Sequence, residues 1–144
     1  ITLKLFGVPE CTAAATVQFS NLHSAVSAVT AIIQLGVGVA RIELIDKAAV
    51  AAVNAYSNTS LLEENMLLLE FHGSEYVVNH EVALAASILA EHGGTGFMSS
   101  TDQSQRTVLW QARHDGRGLS ELNDPEVRSL SLTFACQFRF LPTA

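Results

Sequence analysis

The sequence predicts an α+β domain in which a β-strand, an α-helix and a second β-strand occur twice in succession. Strand-like and helix-like patterns follow in this order between residues 13 and 45, and again between residues 66 and 99. The two copies begin about 50 residues apart. Two such units on one antiparallel sheet, with the helices on one face, form a ferredoxin-like, duplicated split βαβ arrangement. We therefore expect this fold.

The first copy has recognisable boundaries. Residues 13–19 have a strand-like pattern, and the Ser20–Asn21 pair offers a side chain of the type that caps the start of a helix. Apolar side chains recur at helical spacing over residues 22–35, and Gly36 is expected to end this helix in a left-handed conformation. Residues 37–45 then predict the return strand.

The second copy follows an alanine-rich linking helix, and its helix is expected to begin at a Ser74 cap and to stop before Gly93. Its first strand, at 66–71, is a nearly continuous run of large apolar residues, as is typical of a strand buried on both faces. The elements expected outside the first copy are the linking helix from 46 or 47 to about 56, a central strand at 66–71, a long helix at 75–92, a short strand at 95–99, and further strands at 1–6 and 130–140.

Composition narrows the functions that are open to the chain. Of its 144 residues 49% are hydrophobic and 15% are charged, so the core is well supplied and the charged surface is sparse. We expect another domain or subunit to cover part of that surface. The formal net charge of −6 argues against nucleic acid as a partner, because phosphate binding requires a basic surface. Cys11 and Cys136 form no motif and are interpreted as small buried hydrophobic residues.

The N-terminal residues suggest a piece of a longer protein. The chain has no initiator Met and begins with an alternating stretch, Ile1-Thr2-Leu3-Lys4-Leu5, as if within a strand. Pro9 then interrupts any strand, because proline has no N–H to donate. We expect residues 1–10 to be the end of a connection from a missing domain.

One helix carries an unusual stripe of cations beside the only tryptophan. Helical spacing places Arg106, Trp110, Arg113 and Arg117 on one side, after a cap-like run that ends at Asp102. Guanidinium groups bind carboxylates through two parallel hydrogen bonds, so the stripe is a candidate site for an organic acid. The alternative is a solvated helix face with the tryptophan packed inward.

A second polar pattern lies on a strand. Arg41 and Glu43 alternate and therefore share one face of the sheet. They form either an ion pair on the sheet or part of the border of a ligand pocket. The spacing of His, Cys and acidic residues matches no metal site or catalytic triad. The glycines of Gly36-Val37-Gly38 follow a predicted helix and precede a strand, whereas those of a dinucleotide-binding loop follow a strand and open a helix.

Four strings together resemble one family. They are Ile1-Thr2-Leu3-Lys4-Leu5 through Val8-Pro9-Glu10, Ile33-Gln34-Leu35-Gly36 with Ala40-Arg41-Ile42-Glu43-Leu44-Ile45-Asp46, Leu69-Glu70-Phe71-His72-Gly73-Ser74, and Leu109-Trp110-Gln111-Ala112-Arg113-His114. In order and spacing they are similar to the C-terminal (cap) domain of FAD-linked oxidases of the vanillyl-alcohol oxidase type. Within that family they most resemble the cytochrome-linked D-lactate dehydrogenases. The resemblance covers residues 1–114.

The resemblance implies a division of labour in a longer enzyme. A separate N-terminal domain would bind FAD, and residues 11–144 would form the cap (substrate) domain, truncated before a histidine string that holds a divalent metal and the catalytic residues. Arg113 would contact the substrate carboxylate, with Trp110 and His114 beside it. No catalytic residue would lie in this piece, which alone is expected to be inactive.

The resemblance also implies a reaction and its partners. The parent would oxidise a D-2-hydroxy acid such as D-lactate to the 2-oxo acid, and would pass electrons to cytochrome c, a quinone or an electron-transfer flavoprotein. It would be mitochondrial in a eukaryote, and cytoplasmic or membrane-associated in a bacterium.

Three features depart from the family pattern. Gly116 and Gly118 interrupt the helix after Arg113, and no lysine follows Lys47. The string Thr133-Phe134-Ala135-Cys136 lacks the Asp and the Pro that the family has at this place. The alternatives to an enzyme domain are a non-catalytic module that binds a small acid through the arginine stripe, and an oligomerisation domain that forms a homodimer through its alanine-rich faces.

Overall fold

Strands and helices alternate along the chain in the computed structural model, which describes residues 7–57, 61–107, 110 and 133–134. The order confirms the predicted succession of two βαβ units joined by a linking helix. The elements are β1 (Cys11–Phe19), α1 (Leu22–Gln34), β2 (Val39–Ile45), α2 (Lys47–Ser57), β3 (Asn65–Gly73), α3 (Glu75–Glu91), β4 (Thr95–Ser100) and β5 (Thr133–Phe134). Residues 103–107 are also helical, and so is Trp110.

The strands form one sheet with the order β4-β1-β3-β2-β5. Every neighbouring pair is antiparallel, and the two central strands run together from Cys11 opposite Gly73 to Phe19 opposite Asn65. Each βαβ unit leaves a gap between its two strands, and a strand of the other unit fills that gap. This interleaving is the predicted ferredoxin-like arrangement.

The helices of the two βαβ units lie on the same face of the sheet, as predicted. Alternate residues of β3, Leu67, Leu69 and Phe71, point into a core that α1 and α3 complete. The linking helix α2 is an addition on the other face, where Val50 packs against Met66 and Leu68. The sheet is therefore covered on both faces around β3, which is why that strand is apolar on both sides.

The boundaries of the first helix follow the predicted local chemistry. Asn21 is the N-cap of α1, and its side-chain oxygen accepts a hydrogen bond from the Ser24 N–H at 2.8 Å. After the helix, Gly36 has a φ of +72°, the left-handed conformation expected of a glycine at this position. Ser74 occupies the N-cap position of α3 without forming a side-chain cap hydrogen bond.

The strand bounds differ from the prediction by a few residues. β1 begins at Cys11, because pairing with β3 extends it beyond the residues that its own pattern marks. β2 begins at Val39, since the Gly38 N–H donates to a side-chain oxygen of Glu81 on α3 rather than to a neighbouring strand. The strand predicted at 1–6 lies outside the described residues. Of the strand predicted at 130–140 only Thr133–Phe134 is described, and these two residues pair with β2.

Cys11 is a half-buried free thiol at the edge of the core. Cys136 lies outside the described residues.

No helix in the described ranges is long and apolar enough to cross a membrane.

Candidate functional site

Charged side chains are concentrated on the sheet face opposite α1 and α3, which we call the polar face. β3 contributes Glu70 and His72 to it, and β2 contributes Arg41 and Glu43. This distribution follows from the strand period of two, because the intervening residues of β3 point into the core shared with α1 and α3. The same strand thus builds the core on one side and a charged surface on the other.

Glu70 binds two basic side chains at once. Its Oε2 atom lies 2.8 Å from Nη2 of Arg41, and its Oε1 atom lies 2.7 Å from Nε2 of His72. The sequence suggested a pair between Arg41 and Glu43 on one strand. The structure instead pairs Arg41 with Glu70, because the register of β2 and β3 sets these two residues opposite one another.

The ionisation of Glu70 reflects these two partners. Partial burial by itself raises the pKa of the carboxyl group, since it disfavours the charged form. The hydrogen bonds and the positive charges of Arg41 and His72 outweigh that effect and hold the pKa of Glu70 below its usual range. The polar face therefore keeps a carboxylate that is fully charged near neutral pH.

Trp110 lies on the polar face and not in the core beneath α1 and α3. The guanidinium carbon of Arg41 lies 3.4 Å from the centroid of its ring, a stacked cation–π contact. The indole also packs against the cluster of Val50, Met66 and Leu68. The helical stretch that was predicted to carry the acid site thus reaches the sheet beside Arg41.

Asp102 begins this helical stretch, as the cap-like run predicted. Its Oδ1 atom accepts hydrogen bonds from the Ser104 hydroxyl and, at 3.0 Å, from the Gln105 N–H. These hydrogen bonds, the one from Ser104 first, lower the pKa of the Asp102 carboxyl group. A charged carboxylate at this end of a helix is stabilising.

Two buried donors face no acceptor in the described part of the chain. They are Nε of Arg106 and Nε1 of Trp110, which lie four positions apart on the helical stretch. A buried N–H without a partner costs free energy, so such groups are suited to a ligand that brings oxygen atoms. This is the chemistry that the arginine stripe was predicted to supply.

The structure describes only part of the predicted site. Trp110 is placed beside Arg41, whereas Arg113, His114 and Arg117 lie outside the described residues. The ring of Trp110 packs against the apolar cluster of the sheet, as the inward-packed alternative expects. It also contacts the guanidinium group of Arg41, which that alternative did not include. Within the described ranges, no three His, Cys, Asp or Glu side chains gather as metal ligands would.

Sequence reasoning missed the roles of Glu70 and His72. The residue pattern did contain a signal, because these are the two polar positions at spacing i, i+2 toward the end of an otherwise apolar strand. Such spacing places both side chains on one face. That they share this face with Trp110 could not be read from the strand alone.

Comparison with known proteins defines the class of the chain. Residues 8–127 match the family described as FAD linked oxidases, C-terminal domain. The match covers most of the 144 residues, and the chain belongs to this family.

Relatives within the family are named as D-lactate dehydrogenases. The chain is 40% identical over 114 residues to "Probable D-lactate dehydrogenase, mitochondrial" of Danio rerio, covering 79% of this chain and 23% of the relative. It is 28% identical over 115 residues to "D-lactate dehydrogenase [cytochrome], mitochondrial" of Arabidopsis thaliana, covering 80% of this chain and 20% of the relative. The chain thus spans less than a quarter of the length of these relatives.

A solved structure shares the fold. An alkyldihydroxyacetonephosphate synthase superposes with a TM-score of 0.56 at 18% identity, over 76% of this chain and 24% of the other. At this identity the likeness shows the fold alone.

Proposed function

We propose that the chain is the cap (substrate) domain of an FAD-dependent D-2-hydroxy acid dehydrogenase that oxidises D-lactate to the 2-oxo acid. The observation that carries the proposal is the 40% identity, over 79% of the chain, to a relative named as a probable D-lactate dehydrogenase. Two buried donors add chemical support, because Nε of Arg106 and Nε1 of Trp110 have no acceptor within the described residues and are suited to the oxygen atoms of an organic acid. The enzymatic activity is that of the longer parent.

The domain would cover the flavin rather than hold it. Nε1 of Trp110 has no acceptor within the described residues, so it is suited to donate a hydrogen bond to an oxygen of a bound group. FAD would bind mainly to a separate domain, with residues 1–10 leading from it and residues 11–144 forming the cap. When bound, FAD would accept the hydride from C2 of the acid.

Arg113 would hold the carboxylate of the substrate. A guanidinium group forms two parallel hydrogen bonds to a carboxylate, which fixes the orientation of the acid as well as binding it. Trp110 lies three positions earlier on the chain, and its contact with the polar face supports this assignment. His114, next to Arg113 in the sequence, would belong to the same substrate-binding set.

The remaining partners of the parent follow from the same family. Cytochrome c, a quinone or an electron-transfer flavoprotein would receive the electrons, and a divalent metal would bind outside this chain. The relatives from Danio rerio and Arabidopsis thaliana are named as mitochondrial, so a eukaryotic parent would be mitochondrial. A bacterial parent would be cytoplasmic or membrane-associated.

Replacing Arg113 in the full-length parent tests the proposal. We expect Arg113→Ala to weaken capture of D-lactate by about 2–5 kcal/mol, or roughly 30-fold or more in kcat/KM, because a partly buried carboxylate would lose its partner. Dye reduction by the FAD-loaded parent measures this. Arg113→Lys, which keeps the charge and loses the planar fork, should give an intermediate loss.

Two comparisons make the result specific. Lys47→Ala removes an exposed cation at the start of α2 and should leave kcat/KM unchanged. The 144-residue chain alone, given FAD and D-lactate, should reduce no dye. Unchanged kinetics in Arg113→Ala would remove Arg113 from the site. A parent that binds D-lactate but never reduces the dye would support the non-catalytic acid-binding module instead.

A further inference from the structure

Arg41 connects the sheet to the segment that carries Trp110. Its Nη2 atom forms an ion pair with Oε2 of Glu70 at 2.8 Å, and its guanidinium carbon lies 3.4 Å from the centroid of the Trp110 ring. Glu70 is itself fixed by His72, which contacts the second carboxylate oxygen at 2.7 Å. A continuous series of contacts therefore runs from β3 through Arg41 on β2 to Trp110.

The contacts in this series restrict how the guanidinium group of Arg41 is oriented. Each oxygen of the Glu70 carboxylate has its own partner, Arg41 or His72, so the orientations of the carboxylate and of the guanidinium group are restricted. The flat guanidinium then presents one face to the indole, which a lysine ammonium could not do with the same geometry. The apolar cluster of Val50, Met66 and Leu68 supports the tryptophan from the sheet side.

We infer that Arg41 is a positioning residue for substrate binding, because it fixes Trp110, three positions before Arg113 in the sequence, on the polar face. Arg41 acts through Trp110 and Glu70 acts through Arg41. The inference rests on the proposed function, since it takes the segment from Trp110 to His114 to bind the acid. It adds a residue of the sheet, 69 positions before Trp110, to the determinants of substrate affinity.

The fluorescence of Trp110 tests the physical part without any enzymatic assay. Trp110 is the only tryptophan of the 144-residue chain, so its emission reports on this position alone. Arg41→Met should shift the emission to longer wavelength and raise acrylamide quenching about twofold, because one face of the ring loses its cover. Arg41→Lys should give a smaller change in the same direction, and Lys47→Met, an equal loss of charge at an exposed position, should give none.

The kinetics of the full-length parent test the functional part. We expect Arg41→Met to raise KM for D-lactate about tenfold or more while kcat changes little, because small misplacement of a binding group is costly. Glu70→Gln should move KM in the same direction. In an Arg113→Ala background, Arg41→Met should have almost no further effect, since the contact that it positions is already lost.

The outcomes separate this inference from the proposed function. Unchanged emission and quenching in both Arg41 variants, with native circular dichroism, would overturn the inference whatever the parent does. An altered emission with unchanged KM, or an equal loss in the Arg113→Ala background, would also overturn it. A parent without activity on D-lactate would reject the proposed function, and with it the role of Arg41 in affinity, while the fluorescence result would still decide whether Arg41 fixes Trp110.

Discussion

Glu70 is the residue that orders the polar face. Its position on β3 puts it opposite Arg41 and two residues from His72, so a single carboxylate contacts basic side chains from two strands. The side chain is largely buried, and removal of one partner would leave a charge that water reaches poorly. Glu70 therefore couples the pairing of β2 and β3 to the position of the Arg41 side chain on the polar face.

This coupling predicts a dependence of stability on pH. The pKa of Glu70 is lower in the folded chain than its ordinary value of 4.5, so ionised Glu70 stabilises the fold. Its contribution is complete above the ordinary value, and it is lost as the pH falls from there through the lowered pKa of the folded state. Urea unfolding followed by circular dichroism at several pH values measures the change.

The Glu70→Gln variant isolates the contribution of that one carboxyl group. The amide keeps the shape of the side chain and does not titrate in this range, so the variant should be less stable near pH 7 and should lose less stability on acidification. Asp102, whose pKa is also lowered, keeps its own share of the pH dependence in both proteins. Parallel curves for the two proteins below about pH 5 would contradict the assigned role of Glu70.

At the scale of the elements, the two long helices begin in different ways. The side chain of Asn21 closes the first turn of α1 through the Ser24 N–H. Ser74 occupies the equivalent position of α3 but forms no side-chain cap hydrogen bond, and Glu75 supplies an acidic residue in the first turn instead. α3 also gains from Val78, Ala85 and Leu89, which are buried against the sheet.

The two caps provide a matched pair of substitutions. Asn21→Ala should lower the free energy of unfolding by about 1 kcal/mol, because the Ser24 N–H loses its acceptor. Ser74→Ala should cost clearly less, since no side-chain hydrogen bond is lost. Urea unfolding of the 144-residue chain compares them. An equal cost for the two variants would show that the Asn21 hydrogen bond does not stabilise α1.

At the scale of the whole molecule, β3 divides the structure into two apolar clusters. Leu69 is fully buried beneath α1 and α3, and the adjacent Leu68 is buried on the polar face with Val50 and Trp110. The sheet thus separates a large core that stabilises the domain from a smaller cluster that supports Trp110. Neighbouring residues on one strand therefore serve different purposes.

Substitution of these two leucines should separate stability from the site. Leu69→Ala and Leu68→Ala should each lower the free energy of unfolding by about 2–5 kcal/mol, because both leave a cavity. Only Leu68→Ala should also change the emission of Trp110 in the folded chain, since that leucine belongs to the cluster that packs against the indole. A similar spectral change in Leu69→Ala would show that the two clusters are not independent.

The sequence predicted correctly those features that depend on residues close together in the chain, and it missed a contact between residues far apart in the chain. Periodicity, caps and glycines are local, so the two βαβ units, the Asn21 cap and the left-handed Gly36 were predicted correctly. The alternation of Arg41 and Glu43 predicted a shared face correctly. It did not predict the partner of Arg41, because an ion pair across two strands depends on their register.

The sequence by itself determined the class of fold, the family resemblance and the residue types that an acid-binding site needs. These properties depend on spacing along the chain and on side-chain chemistry, which are present before folding. Only the tertiary structure decided that Arg41, Glu70 and His72 share one face with Trp110, and that α2 lies there as well. The reason is that contacts between residues as far apart as 41 and 110 arise from strand order and register, which no local pattern specifies.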